Sequence, residues 1–231
     1  MTAAPPLSPT PRSTVRRAPA RARTDRAELY AVLDAGLIGH LGVVLDGAPV
    51  VLPTGYGRSG DTLYLHGSTG AATLRAAAAG APVSFTVTLV DGVVYARSTF
   101  HHSMNYRCAV VHGSARLLTD PAERLRGLEA LTEHLAPGSW TATRRPDRKE
   151  LAATAVLTLD LAEASVKVRS GPPGEDERDL LAAGSPDPVW AGVLPLRTVA
   201  GEPEPCPLLP AGTAVPERVR ARAARWAGGT P

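Results

Sequence analysis

Residues 98–113, STFHHSMNYRCAVVHG, hold three of the six histidines (His101, His102, His112), one of two methionines and one of two cysteines. Such a group could ligate a metal, pair a thiolate with an imidazole, or line a ligand pocket. A zinc site needs three or four convergent ligands, and no paired ligand motif is present. On an extended strand the adjacent His101 and His102 face opposite ways, so at most one serves a given site. No metal site is expected. Cys108 precedes apolar Ala109 and Val110 in a strand-like run, where a free cysteine acts as a small core residue rather than a nucleophile. There is no Gly-x-Ser-x-Gly elbow either.

The pocket reading draws in other segments. In PTGYGR (53–58), Gly55 and Gly57 would let backbone approach a ligand closely. In YLHGSTG (64–70) a strand passes into a helix through Gly67, Ser68, Thr69 and Gly70, whose amides and hydroxyls could cradle a phosphate. Arg75 lies one helical turn on, and Arg97, Arg107, Lys167 and Arg169 sit on strand-like segments. Ser98, His102 and Tyr106 recur at four-residue intervals. A phosphate cradle beside such polar groups points to a phosphorylated planar ligand. His66 and His102 are the candidates to donate a hydrogen bond or a proton to it.

These residues need a scaffold. Thr24 is placed to cap a helix whose Leu29, Val32 and Leu33 share a face, with Gly36 to end it. Strand-like runs follow: LIGHLGVVL and APVVLPTGY about Asp46-Gly47, DTLYLHG after Ser59-Gly60, and PVSFTVTLV and VVYARSTF about Asp91-Gly92. All three junctions carry hairpin chemistry. GAATLRAAAAG reads as a short helix, and MNYRCAVVHGSARLL as one long strand with a bulge at Gly113. Asp120, Pro121 and Glu123 open a second helix in capping-box order, followed by strands TAVLTLDL and ASVKVRSG. An apolar island, PVWAGVLPL (188–196), precedes the linker AGEPEPCPLLPAG and a tail, PERVRARAARWAGG, too short for a stable isolated helix. Many short antiparallel strands with two or three helices indicate a closed, mainly β barrel or sandwich over about residues 27–200.

Charge divides the chain. Residues 1–26 carry six arginines against Asp25, a net of +5, which leaves the remainder at −2 out of a total of +3. The basic character belongs to a Pro/Arg-rich tail, so the folded domain is not expected to bind nucleic acid. No segment has the length and hydropathy of a membrane span or the apolar core of a signal peptide. Two cysteines suit a reduced cytoplasm.

The order GHLG…PVVLPTGYGR…LYLHGSTG…VSFTVTLVDGVVYARSTFHHSMNYRCAVVHGSARLL…EASVKVRSGP…VWAGVLPL resembles the pyridoxamine 5′-phosphate oxidase-like FMN-binding split barrels, nearest to the branch that includes nitroimidazole-resistance proteins. The block FHHSMNYR is its most specific part. The resemblance implies a six-stranded antiparallel split β-barrel with peripheral helices, a homodimer, and FMN bound in a groove between subunits. The resemblance covers about residues 24–196, and with the composition of the ends it divides the chain into a disordered tail (1–23), the FMN-binding domain (24–200) and a linker with C-terminal tail (201–231).

It further implies flavin-ring contacts at Pro53, Thr54, Gly55 and Tyr56, and a phosphate-side loop at His66, Gly67, Ser68, Thr69 and Gly70. Arg107 and Cys108 fall on the strand that carries an arginine followed by a polar flavin contact, a position usually Ser or Gln. At Ala71 and Ala72 relatives often carry a basic phosphate clamp; Arg75, Arg97 or Lys167 would have to replace it. Trp190 would border the flavin, its own subunit's or the partner's. Pyridoxamine-binding residues are not recognisable. The expectation is therefore a cytoplasmic, dimeric, FMN-dependent oxidoreductase of a small aromatic or heteroaromatic molecule. The alternatives are a non-catalytic flavin-binding or storage module, or a haem-binding relative with His102 or His66 as axial ligand.

Overall fold

The computed structural model describes residues 6–7, 10–182 and 188–227. The elements, in order, are β1 (Ala22–Arg23), α1 (Arg26–Ala35), β2 (Ile38–Leu45), β3 (Ala48–Ser59), β4 (Thr62–Ser68), α2 (Ala72–Ala78), β5 (Pro82–Tyr95) and β6 (Ser103–Ser114). Then come β7 (Arg116–Leu117), α3 (Pro121–Leu135), α4 (Ser139–Ala142), α5 (Arg148–Ala153), β8 (Thr154–Asp160), β9 (Glu163–Arg169), α6 (Glu177–Ala182), β10 (Gly192–Pro195) and α7 (Glu217–Ala227). A 3₁₀ turn, Thr99–His101, joins β5 to β6.

The mainly β architecture with peripheral helices is as expected, but the strand count is not. Ten strands form one antiparallel path, β1-β9-β6-β5-β2-β3-β4-β8-β7, with β10 on β5, and the path does not close. β3 turns the corner: residues 48–55 pair with β2 and residues 56–59 with β4. β6 and β8 approach through the core instead of by a ladder; a Cβ at Gly113 would come within 2.9 Å of Leu159.

Two expected hairpins form. Asp46 and Gly47 both take positive φ (50° and 80°), as a two-residue turn between right-twisted strands requires. Ser59 pairs with Thr62 across the second turn. The third hairpin, at Asp91-Gly92, is corrected: β5 runs straight through, with a bulge between Val90 and Gly92. Gly92 serves there as a close-packing site, since a Cβ would lie 3.0 Å from the Leu194 carbonyl of β10.

The core is Phe85, Leu41, Val87, Ala109, Val111 and Val166 from one part of the sheet and Leu63, Leu65, Leu157 and Leu159 from the other. α1 closes it with Leu29, Val32 and Leu33, all fully buried. Asp25, not Thr24, caps α1, accepting from Ala27 N at 2.9 Å. Asp120 caps α3 as expected, accepting from Glu123 N.

The ends depart from the expected free tails. β1 pairs with β9, Leu7 is only 6% exposed, and Thr10 and Arg12 both bond Glu163. α7 forms because it docks: Arg222 donates to the His134 carbonyl at 2.9 Å and Arg225 to the Asp34 carbonyl at 3.1 Å. Among the described residues no helix is long and apolar enough to cross a membrane.

Candidate functional site

One sheet face collects most of the surviving candidates. In β2, β5 and β6 alternate residues enter the core, so the others share an outer face. Register places Pro53 beside His40, His40 beside Thr86, and Thr86 beside Val110. The next row is Thr88, Cys108 and Lys167, then Val90 and Tyr106. The bulge keeps Tyr95 on this side, with Met104 across from Val93. Ile38, Val44 and Val51 stand exposed on the same face, and Gly55 has nothing within 4 Å of a would-be Cβ. The result is a broad, partly apolar surface that the single chain leaves bare.

At one end of this face lies an aromatic group centred on His102. The Ala96 amide donates to His102 Nδ1 at 3.0 Å. With that lone pair taken, the neutral ring carries its proton on Nε2, which is left to donate outward. Tyr95 meets His102 edge-on at 6.0 Å between ring centres, and Trp190 tilts over Tyr95 at 5.8 Å. Gly192 makes room for the indole, because a Cβ there would sit 2.8 Å from it. Trp190 is 66% exposed and Phe100 88%, so neither plugs the core. Nearby, Ser98 Oγ and Arg97 Nε are buried without a hydrogen-bond partner. Such a surface can stack a flat heteroaromatic ring and offer it one directed N–H donor.

The structure separates residues that the sequence grouped. Thr99–His101 is a 3₁₀ turn, so strand alternation does not govern His101 and His102. The turn instead sends His101 toward Asp176, at 3.3 Å, while His102 turns back to Ala96. His112 lies farther along β6, in register with Glu163.

Arg107 and Cys108 occupy opposite faces and cannot both touch one ligand. Arg107 is clasped by Asp91 at 2.7–3.3 Å, and that hydrogen bond raises its pKa. Cys108 Sγ accepts from Thr88 Oγ1 at 3.3 Å. Both cysteines are free thiols.

Tyr56 also leaves the candidate set. Its ring is in the core, and its hydroxyl donates to the carbonyls of Leu33 (2.6 Å) and Gly36 (3.1 Å). Burial pushes its pKa upward. Gly57 is small because α3 crosses it at Ala130, not because a ligand does. Thr54 is half-buried and bonds its own strand, at the Gly55 carbonyl.

The phosphate cradle is likewise revised. Thr69 N donates to the Ala153 carbonyl, Gly70 N to Ser68 Oγ (3.2 Å) and Ala71 N to the Ser68 carbonyl. Three loop amides are therefore spent on the protein itself, and the seven-residue α2 begins at Ala72, its N-cap Ala71 offering no side-chain cap. Gly67 accommodates Leu74 of that helix. Arg75 is exposed. His66, also exposed on β4, has no hydrogen bond among the described residues; neighbouring protein mass holds its pKa below the ordinary value.

His40 is the residue that sequence reasoning missed. It is exposed, on the bare outer face, with Pro53 and Thr86 as its cross-strand neighbours. Its signal was present in LIGHLGVVL: a single polar side chain on the solvent-facing positions of an apolar strand.

The comparisons with known proteins agree with this architecture. The family profile for pyridoxamine 5′-phosphate oxidase matches residues 25–168. The flavocytochrome Anf3 from Azotobacter vinelandii is 38% identical over 94% of this chain and 98% of its own, with a TM-score of 0.86. A FAD and haem binding protein from Mycobacterium smegmatis is 41% identical over 88% of this chain and 97% of its own, with a TM-score of 0.82. A putative 5-nitroimidazole antibiotic resistance protein from Bacteroides thetaiotaomicron VPI-5482 shares the fold at 20% identity and a TM-score of 0.55, over 64% of this chain and 86% of its own. A search of curated proteins finds no match. On the profile match and the two near-full-length relatives, the chain belongs to the pyridoxamine 5′-phosphate oxidase-like family.

Proposed function

We propose that the chain is a flavin-binding oxidoreductase that works as a homodimer, with the flavin ring lying on the outer face near Tyr95, His102 and Trp190. The observation that carries this reading is the bare face itself: exposed aromatic and apolar side chains around one histidine with a free Nε2–H. A second copy laid over Ile38, Val44 and Val51 would enclose that face and make it a cleft. When bound, a flavin supplies the hydride or electron transfer. The chain's own part is to stack the ring with Trp190 and Tyr95, donate from His102 Nε2, and exclude water. A small aromatic or heteroaromatic substrate fits the same flat surface.

The sequence favours FMN, and the structure weakens that preference. A terminal phosphate would find the Thr69, Gly70 and Ala71 amides engaged and no base at Ala71 or Ala72. We therefore assign FAD, the flavin named for the 41%-identical relative. Haem is a second reading, favoured because both near-full-length relatives are named for it. His40 and His66 fit an axial-ligand role: both are exposed, with no side-chain hydrogen bond among the described residues, and burial lowers the pKa of His66, which favours its neutral form. His102 does not fit, because its Nδ1 is an acceptor and its Nε2 keeps the proton.

The test is the visible spectrum of the purified chain, with mass spectrometry of what denaturation releases and titration with FAD and FMN. The expected result is a flavin band and released FAD; a Soret band that disappears in His66→Ala or His40→Ala would identify the haem ligand. A colourless chain that takes up neither flavin would overturn the reading. A cytoplasmic site of action accords with the two free thiols.

A further inference from the structure

Across the 3₁₀ turn from His102, the acidic segment 175–179 folds back onto His101. Gly174 passes over the imidazole, where a Cβ would lie 3.6 Å from Nδ1. Arg97 and Glu175 form an ion pair beside it. Asp176 and Asp179 are one turn apart at the start of α6, the Asp179 amide donating to the Asp176 carbonyl at 2.9 Å. Their carboxylates therefore project to one side. One ligand atom from each of His101, Asp176 and Asp179 lies within 4.8 Å of the other two.

Packing alone does not account for the details. His101 Nε2 and Asp179 Oδ2 are sealed from solvent and have no hydrogen-bond partner. Buried polar groups left without a partner are destabilising unless something else satisfies them. His101 Nε2 and Asp176 Oδ2 stand 3.3 Å apart, yet the N–H is not directed at the carboxylate. Ligands at about 2.0–2.1 Å from a tetrahedral ion are separated by about 3.3 Å, the spacing of His101 Nε2 and Asp176 Oδ2, and the Asp179 ligand atom lies within 4.8 Å of the other two. The recorded competitor is Arg178, whose guanidinium is 3.5 Å from Asp176 Oδ2 on a largely exposed side chain.

We propose that His101, Asp176 and Asp179 bind a divalent transition-metal ion of the zinc type, with water in the fourth position. One imidazole and two carboxylates suit such an ion, whereas magnesium prefers six oxygens. The ion would fasten the acidic segment to the turn that carries His102, and so steady the neighbouring aromatic group. The site does not depend on the flavin reading.

The experiment uses the full-length, tag-free chain stripped with a chelator, and calorimetric titration with Zn²⁺ and with Mg²⁺. One Zn²⁺ per chain with a rise in Tm is expected, and no saturable Mg²⁺ binding. His101→Ala should weaken Zn²⁺ binding by more than the about 10–100-fold that loss of an outer-shell partner costs. His102→Ala should leave it unchanged. Should His101→Ala not fold, judged by circular dichroism, Asp179→Asn carries the same expectation. Trypsin gives a local readout, because Zn²⁺ should slow cleavage after Arg178 in the wild-type chain only. No saturable Zn²⁺ binding, or wild-type affinity in the folded variants, would overturn the site. Normal flavin content in a zinc-deficient His101→Ala variant would separate this result from the flavin reading.

Discussion

Around Tyr56, where α1 and α3 meet the core, the phenol donates to two carbonyls and His134 Nε2 donates to the Gly36 carbonyl at 2.7 Å. Arg58 spans Asp34 with two bonds. Around His102 the balance is reversed. Ser98 Oγ, Arg97 Nε and His101 Nε2 are buried without hydrogen-bond partners, while Trp190 and Phe100 stand in solvent. Both regions come from the same family sequence and flank the same sheet. The first pairs the polar groups of Tyr56, His134 and Arg58 and so contributes stability. The second leaves polar atoms and aromatic area unresolved, as functional surfaces do when a ligand completes them.

The widest separation between the regions should come from two truncations of aromatic rings. Phe85 is fully buried against Tyr56 and the Gly39 backbone. Phe85→Ala is expected to cost about 3–5 kcal/mol in urea unfolding. Trp190→Ala should stay within about 0.5 kcal/mol of wild type. It should nonetheless weaken flavin binding by the about 0.5–1.5 kcal/mol of an aromatic contact, several-fold in Kd. A Trp190→Ala chain that unfolds early but holds flavin normally would erase the contrast.

The N-terminal segment belongs with the stable region. Leu7 is buried, Ser13 is 5% exposed, and β1 covers the outer edge of β9. Deleting residues 1–23 should remove at least the burial of one leucine, about 1.5–3 kcal/mol, and uncover a strand edge that favours association. Thermal melting and light scattering of the truncated chain measure both effects. A truncated chain as stable and monodisperse as the full one would return this segment to the solvent.

Tyr56→Phe tests the hydrogen-bonded region alone. It leaves the Leu33 carbonyl short of a donor in a buried site, at about 1–3 kcal/mol, while the Gly36 carbonyl keeps His134, and flavin content should not change. A loss of flavin with unchanged stability would place Tyr56 back among the cofactor contacts.

Local chemistry made much of the fold readable. Asp46-Gly47 specified its turn, and the alternation in LIGHLGVVL specified the buried face of β2. Asp91-Gly92 misled because the same dipeptide suits a hairpin and a bulge, and only the β10 backbone above Gly92 decides between them. The tails were misjudged from composition, which reports the absence of a core but not docking onto another segment's core. In the site, Pro53, Tyr106, Cys108 and Lys167 do share a face, since period-two alternation fixes faces once the strands are known. By the same rule Arg107, adjacent to Cys108, falls on the opposite face. The loop 66–70 failed for a different reason: whether an amide is free depends on distant acceptors such as the Ala153 carbonyl, which no local spacing reveals. His101 and Asp176 are likewise joined only by the fold.

The smallest expected effect concerns acid stability. His134 packs on Tyr56 at 4.7 Å and lies near Asp34, Arg222 and Arg225. Burial is the largest influence and lowers its pKa, aided by the two arginines; the Gly36 carbonyl and Asp34 oppose it. The unfolded chain, with an imidazole near the ordinary value of about 6.5, takes up its proton first as pH falls. His134 therefore contributes its full stability above that value and loses it as the pH drops through the folded pKa. His134→Gln keeps an N–H for the Gly36 carbonyl but cannot titrate. Its Tm should fall less than wild type's between neutral and mildly acidic pH, whatever its starting level. Some slope should remain, because His66 has a lowered pKa from the same cause. The slope is the informative quantity, since the substitution also disturbs packing against Tyr56. Equal slopes would mean that water reaches His134, and the contrast between a sealed region and an open one would then rest on Tyr56 alone.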